Sequence, residues 1–378
     1  MIPRTCRIER FFGEWESGAE LLACASDVDG LTLGEVLALA DGECLKLWEG
    51  LQLGYTETAG HPLLRDQIAQ QYAVTGADGV TVCGGGAAEA LFLLAHALLG
   101  PGDHAVVVWP AFESLHRIAP ALGAEVSRVE LDAADGWRLD LDAVRAALRP
   151  STRALFVNFP HNPTGALPSR AEFGELVALA ARAGVTLVSD EVYRHLEFDG
   201  RDTLPAACDL DGSAVSVGVM SKAYALAGLR VGWMATRNRQ VARAARQLKD
   251  YTTVCASAPA EILSLMALRA HEELVARSKK IILANLGHAE AFFARHAEVF
   301  EWQPPRAGML AFPRLRPPAE VEEFIGALAR EEGVLLLPGS VFDTDDNRFR
   351  IGLGRTSLPL ALERTDAFLA RRAGAAGV

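Results

Sequence analysis

The sequence predicts an α/β protein, a mostly parallel sheet with helices on both faces plus a smaller α+β domain. Three observations carry this. Short apolar, β-branched runs near 80–83, 105–109, 154–158, 185–189, 214–217 and 228–235 alternate with helical stretches. Glycine, asparagine and acidic residues gather just after several of these runs, where open α/β sheets collect ligands. The 378 residues, half of them apolar, suffice for one large and one smaller domain. The expected division is an amino-terminal arm over 1–45 contributing to the small domain and the pocket, a large ligand-binding domain over 46–258, and a linking helix with a small C-terminal domain over 259–378. One long helical pattern from about Pro259 to Arg295 should link the two domains, with further apolar runs at Met309 to Phe312 and Val334 to Leu337.

Taken in order, the run Val80–Cys83 leads into Gly84-Gly85-Gly86-Ala87-Ala88 and a helix start. Backbone amides at such a turn, with the positive helix end, can cradle a phosphate. The pattern is not the dinucleotide fingerprint, because Glu89 stands where its third glycine falls, and no Walker lysine follows. A plain strand-to-helix turn is the other reading.

Ala154–Asn158 is a second apolar strand, followed by Phe159-Pro160-His161-Asn162-Pro163-Thr164-Gly165, in which two prolines and a glycine fix a rigid turn. Asn162 is presented there with little freedom, although the four residues from Asn162 alone also fit an ordinary turn. Val185–Ser189 then ends in Asp190-Glu191 and, after one residue, Tyr193, as a buried parallel strand emptying into a site does. One of the two acids suits a ring nitrogen; an acid after a strand also commonly caps the next helix.

Lys222 follows in Ser221-Lys222-Ala223-Tyr224-Ala225-Leu226-Ala227-Gly228-Leu229-Arg230, on a small-residue turn with little other charge nearby. Lysine is scarce, five residues against thirty-two arginines, and Lys46, Lys249, Lys279 and Lys280 lie in charge-bearing helical stretches that read as solvated faces. A desolvated amine loses its proton readily and attacks aldehydes, whereas the bland alternative is a lysine that snorkels from a strand end. The companions favour the first reading. A pyridoxal phosphate site needs partners for its aldehyde, pyridine nitrogen, phenolate oxygen, ring face and phosphate, and each has a candidate here.

From about Leu53 to Arg355 the chain resembles the class I/II aminotransferases, the aspartate aminotransferase-like, fold type I group of pyridoxal phosphate enzymes. The resemblance rests on Gly54-Tyr55-Thr56-Glu57-Thr58-Ala59-Gly60-His61-Pro62, Gly86-Ala87-Ala88-Glu89-Ala90-Leu91, Asn162-Pro163-Thr164-Gly165, Ser189-Asp190-Glu191-Val192-Tyr193, Ser221-Lys222, Gly228-Leu229-Arg230-Val231-Gly232 and Phe349-Arg350-Ile351-Gly352. It implies that Lys222 forms the internal aldimine and shuttles the proton, that Asp190 pairs with the pyridine nitrogen, and that Tyr193 and Asn162 hold the phenolate oxygen. Arg230, Ser221 and the turn Gly86-Ala87-Ala88 would hold the phosphate, and Phe112 would stack on the ring, where many relatives carry Tyr or Trp. Arg350 would grip the substrate α-carboxylate, with Asn162 beside it, and Tyr55 would reach the phosphate of a partner subunit, which implies a homodimer with shared active sites. The implied activity is transamination between an amino acid and a 2-oxo acid, with ping-pong kinetics.

The resemblance thins before Leu53. There Ile8-Glu9-Arg10-Phe11-Phe12-Gly13-Glu14-Trp15-Glu16 is aromatic and acidic, and Glu14 and Glu16 could meet a cationic side chain while Trp15 stacks on it. An amphipathic helix with a solvated acidic face is the bland reading. The arm, with Arg306–Pro313, is similar to capreomycidine synthase, a relative that cyclises a hydroxylated arginine instead of transaminating. Cyclase or lyase chemistry on a modified amino acid is therefore the alternative activity.

The remaining features exclude other classes. A net charge of −11 and a pI near 5.4 argue against a nucleic-acid surface, and the fifty or so residues before Tyr55 lack a basic recognition helix, which disfavours a cofactor-sensing regulator. No apolar run reaches membrane-spanning length, and the first twenty residues lack a secretory apolar core. The six cysteines show no paired or metal-ligand spacing, so no metal is expected, and free thiols point to the cytoplasm. The arginine excess and many alanines suggest a bacterial source with a GC-rich genome.

Overall fold

The computed structural model describes residues 3–376. Its centre is a seven-stranded sheet of β1 (Val80–Cys83), β2 (His104–Trp109), β3 (Glu125–Glu130), β4 (Thr152–Asn158), β5 (Thr186–Asp190), β6 (Val215–Val219) and β7 (Gly232–Thr236), in the order β1-β7-β6-β5-β4-β2-β3. β7 runs antiparallel to both neighbours, and every other pairing is parallel. This is the fold type I architecture, with the sheet covered on both faces.

Full coverage explains the unbroken apolar runs, because alternate side chains of one strand enter opposite cores. Val106, Val108, Leu155 and Val157 join one core with Phe173 and Leu176 of the helix Arg170–Arg182. Ala105, Val107, Ala154 and Phe156 join the other with Leu91 and Leu94 of the helix Gly86–Leu98. Each fully buried Leu or Phe contributes about 1.5–3 kcal/mol. The parallel strands β4, β5 and β6 deliver their carboxyl ends side by side, with Asn158 opposite Asp190 and Asp190 opposite Val217.

Several expectations need correction. β3 was not anticipated: its sequence Glu-Val-Ser-Arg-Val-Glu is polar and mostly solvent-facing, as an edge strand can be. β7 begins at Gly232 rather than 228, because Ala227–Leu229 forms a 3-10 turn and Arg230 takes a left-handed φ of 56°. The helical run from 259 is two helices, Ala258–Arg269 and His271–Arg295, with Ala270 between them. Lys249 is not on a solvated face: it is fully buried, and its ammonium donates to the Val254 carbonyl at 2.8 Å, closing the turn after its helix.

Beyond the sheet, Leu310–Ala311, Leu337–Pro338 and Phe349–Gly352 form a three-stranded antiparallel sheet, flanked by the helices Val321–Glu332 and Leu358–Ala376. The N-terminal chain crosses to this sheet. Leu21 bridges Val334 in parallel, and Gly352 N donates to Ala23 O at 2.8 Å. A Cβ at Gly352 would collide with the Ala25 carbonyl, so only glycine lets the two segments meet. Gly352→Ala should lower stability by about 1–3 kcal/mol, the usual cost of overpacking. Urea unfolding of the purified variant checks this, and an unchanged midpoint would contradict the packing described.

Candidate active site

A cavity of about 540 Å³ opens at the carboxyl ends of β4, β5 and β6. Its floor is polar by construction. At the phosphate end, the helix Gly86–Leu98 directs its first amides, including those of Ala87 and Ala88, toward the opening. Arg230 lies across this helix start, with Nη2 donating to Gly85 O at 3.3 Å, and a Cβ on Gly86 would sit 3.2 Å from that nitrogen. Gly232 completes the turn, because a Cβ there would lie 2.6 Å from Gly86 C and 2.7 Å from Ala87 N. Ser221 and Phe112 line the same wall.

Asp190 ends β5, buried, and its carboxylate takes one hydrogen bond, from Val192 N at 3.3 Å. Burial pushes its carboxyl up from an ordinary 3.8 to about 7, against the Val192 hydrogen bond and the nearby Lys222 charge. Lys222 shifts the opposite way for the same reason: burial lowers its amine from 10.5 to about 8, with Arg350 adding to the fall and Asp27 and Asp190 resisting it. Its Nζ donates to Ser26 Oγ at 3.0 Å. Tyr193, buried, donates to Ser26 O at 3.4 Å, and burial raises its phenol well above the usual range.

At the far end Arg350 is 1 % exposed and makes no salt bridge among the described residues. Its Nε and Nη2 donate to Cys24 O at 3.2 and 3.0 Å, and Nη1 donates to Asn162 Oδ1 at 3.2 Å. A guanidinium has five N–H groups, so one on Nη1 and one on Nη2 stay free, a pair suited to a carboxylate. Asn158, buried below, accepts from Asn162 N and donates to Asp190 O, each at 2.8 Å, and so locks the asparagine turn to the aspartate strand.

A phosphate cradle, a buried acid, a deprotonatable lysine and an unpaired arginine around one cavity match a known group. The family model for aminotransferase classes I and II covers residues 39–359. The chain belongs to this family. Capreomycidine synthase of Streptomyces vinaceus is 34% identical, with 87% of this chain aligned to 84% of that one. Aspartate aminotransferase of Geobacillus stearothermophilus is 28% identical, with 95% of each chain aligned. The crystal structure of a PLP-dependent aminotransferase from Streptococcus suis superposes with a TM-score of 0.91 at 30% identity, covering 98% of this chain and 99% of that one.

Membership of this aminotransferase family implies pyridoxal phosphate, and the cavity fits it. The cradle that a Cβ on Gly232 would fill, together with Arg230, suits a phosphate. The buried Asp190 carboxylate, without a cationic contact partner, suits a protonated ring nitrogen, and Lys222 suits an aldehyde.

Ten of the eleven predicted cofactor and catalytic residues border this cavity or its turn; Tyr55 does not, and stands 92% exposed. Trp15, predicted to meet substrate, points away from the cavity: it stacks on Phe11 at 6.2 Å and lies under Arg330 at 5.8 Å. Glu14 does not line the cavity either, whereas Glu9, Phe12 and Glu16 do. Their spacing of three and four is one helical face, a signal present in the sequence but masked by reading adjacent residues together. Ser26, Asp27 and Asn158 were also missed.

Asp190 gives a pH test. Its folded value near 7 lies above its ordinary 3.8, so the cofactor-free fold binds more protons than the unfolded chain and loses stability as pH rises from about 4 to 7. Without cofactor, Asp190→Asn should therefore melt above the wild type at pH 8, with the gap narrowing toward pH 4. Thermal unfolding of both apoproteins across that range measures it; a gap that does not change with pH would contradict the buried acid.

Proposed function

We propose that the protein moves the amino group of an α-amino acid to a 2-oxo acid in two half-reactions with ping-pong kinetics. The observation that supports this most is the Lys222 amine, lowered by burial to about 8 and lining the cavity that also holds Asp190 and the unpaired Arg350. When bound, pyridoxal phosphate supplies an aldehyde that takes up amines and a ring that accepts electron density from the substrate Cα. The remaining work falls to the chain. Arg350 binds the α-carboxylate through its two free N–H groups and fixes the substrate's orientation. Lys222 Nζ, largely neutral once pH exceeds about 8, takes the Cα proton and returns it.

In the same reading, Asp190 keeps the ring nitrogen protonated, Asn162 Nδ2 and Tyr193 hold the phenolate oxygen, and Phe112 covers the ring face. Ser221, Arg230 and the amides of Ala87 and Ala88 hold the phosphate. The division into arm 1–45, cofactor domain 46–258 and C-terminal part 259–378 follows these roles. The free cysteines fit a reducing compartment such as the cytoplasm, and no helix among the described residues is long and apolar enough to cross a membrane.

A homodimer accounts for the exposure of Tyr55, and of Leu53 (83% exposed) and Tyr251 (91% exposed). In that dimer Tyr55 reaches the partner's phosphate site. Sedimentation should give twice the chain mass, and Tyr55→Phe should weaken cofactor retention about ten- to a hundredfold, the loss of one hydrogen bond to a charged group; a monomer with full retention would refute it.

A second reading is supported by the 34% identical relative, which is named a synthase, and cyclisation or elimination on a modified amino acid can use the same cofactor residues. Single amino acids given to the holoenzyme without any 2-oxo acid decide between the two. Transamination releases at most one equivalent of 2-oxo acid per site and then stops; a cyclase or lyase keeps releasing product. In either case Lys222→Ala should cut turnover at least about a thousandfold while cofactor still binds, and normal turnover would sink the assignment.

A further inference from the structure

The cavity's charges leave a remainder that points to the substrate's side chain. Four cations line it. Lys222 and Arg230 belong to the cofactor and Arg350 to the α-carboxylate, while Arg355 is bound to Asp27 at 2.7 Å and Asp29 at 3.4 Å. Of the four carboxylates, Asp190 serves the ring and Asp27 holds Arg355. Glu9 and Glu16 remain, and among the described residues neither side chain makes a salt bridge or hydrogen bond. A bound α-carboxylate would consume the last unassigned guanidinium among the residues that line the cavity. The outer end of the cavity would then carry two uncompensated negative charges.

These acids are not on a free-swinging arm. Helix α1 (Arg7–Trp15) is pinned at its start by Glu113, itself 1 % exposed, which accepts from Ile8 N at 3.0 Å and Cys6 Sγ at 3.0 Å. Arg7 donates to Ser340 O at 3.0 Å and pairs with Asp343 at 2.8 Å. On the opposite face, Phe11 and Trp15 pack together, with Arg330 over the indole. The helix phase is thereby set, and Glu9, Phe12 and Glu16 face the cavity.

We propose that the amino-acid substrate carries a terminal cation, an ammonium or a guanidinium, read by Glu9 and Glu16 with the Phe12 ring along the side-chain stem. The zwitterionic end lies at Arg350 and Lys222, and the distal cation lies at the arm. An acidic side chain would meet two like charges, and a neutral one would leave the carboxylates unmatched. This rests on the assignment of Arg350 to the α-carboxylate. Attraction at an exposed pair of carboxylates is modest, so specificity is expected mainly in KM, the acids being remote from the reacting Cα.

The test uses the holoenzyme with matched pairs: arginine against citrulline, lysine against norleucine, and glutamate as the acidic case, with keto or cyclised product measured by mass. Cationic members should exceed their neutral partners about tenfold or more in kcat/KM, and glutamate should be the poorest. Glu16→Gln and Glu9→Gln should each raise KM for the cationic substrates, and the double variant should remove the preference. Glu16→Lys should turn it toward glutamate, and calorimetric binding of arginine and citrulline to the holo Lys222→Ala protein should show the same preference without turnover. The arginine and lysine pairs tell guanidinium from ammonium recognition. Equal use of cationic and neutral partners, or a preference for glutamate by the wild type, overturns the proposal while leaving transamination intact. Reaction with none of these amino acids, alongside equal calorimetric binding, overturns it together with the reading of Arg350.

Discussion

The buried guanidinium of Arg350 is the constraint around which the rest of the cavity is arranged. A charge at 1 % exposure without a counter-ion is costly unless its hydrogen bonds are supplied, and they come from two distant segments, the Cys24 carbonyl and the Asn162 side chain. Both must be held still. Asn162 is held by Asn158, which also grips the Asp190 backbone. Cys24 is held where the N-terminal chain joins the three-stranded sheet, through the Leu21–Val334 bridge, the Gly352 amide on Ala23, and Asp29 accepting from Thr356 N at 2.7 Å. A residue from the C-terminal sheet is thus fastened to the carboxyl end of β4 and to the arm at once.

Burial does opposite things to the two titrating groups beside it, and the opposition is useful. It raises the acid of Asp190 and lowers the base of Lys222, so both come within reach of neutral pH although they attract each other. A lysine paired directly with a carboxylate would keep its proton. Here Nζ contacts the Ser26 hydroxyl, and the carboxylates of Asp27 and Asp190 act only at longer range. Asp27 is further moderated by its bond to Arg355. The amine is thereby kept available without being stripped of all charge stabilisation.

What was legible in the sequence was what is local. Asn162, Asp190 and Lys222 each sit at a strand end or on a tight turn whose residues are contiguous, so apolar runs and turn chemistry mark them without knowledge of the partners. Ser26 was not legible, because its contact with Lys222 joins residues 196 positions apart and no turn or cap marks it. β3 was missed because an edge strand does not need apolar residues on both faces, and Lys249 was misread because a buried lysine with a backbone partner resembles a solvated one in composition. In the arm, the acidic and aromatic content was read correctly but the phase was not: sequence neighbours suggested Glu14, Trp15 and Glu16 together, whereas a helix separates them by 100° per residue and groups Glu9, Phe12 and Glu16.

The two ends of the cavity are therefore built under different rules. At the cofactor end, Asn158, Asn162, Asp190 and Arg350 are buried and joined by hydrogen bonds, and Gly86 and Gly232 are seated where a Cβ would crowd its neighbours, so a change at one position disturbs several others. At the arm, Glu9 and Glu16 stand on one exposed helix face whose anchoring lies elsewhere, in Ile8, Glu113 and the packing of Phe11 on Trp15. Side chains on that face can be exchanged without breaking a buried hydrogen bond or leaving a cavity in a core. The reaction chemistry is consequently fixed by residues that tolerate little substitution, and the choice of substrate by residues that tolerate much. Motifs for the cofactor therefore say little about the side chain that enters with it.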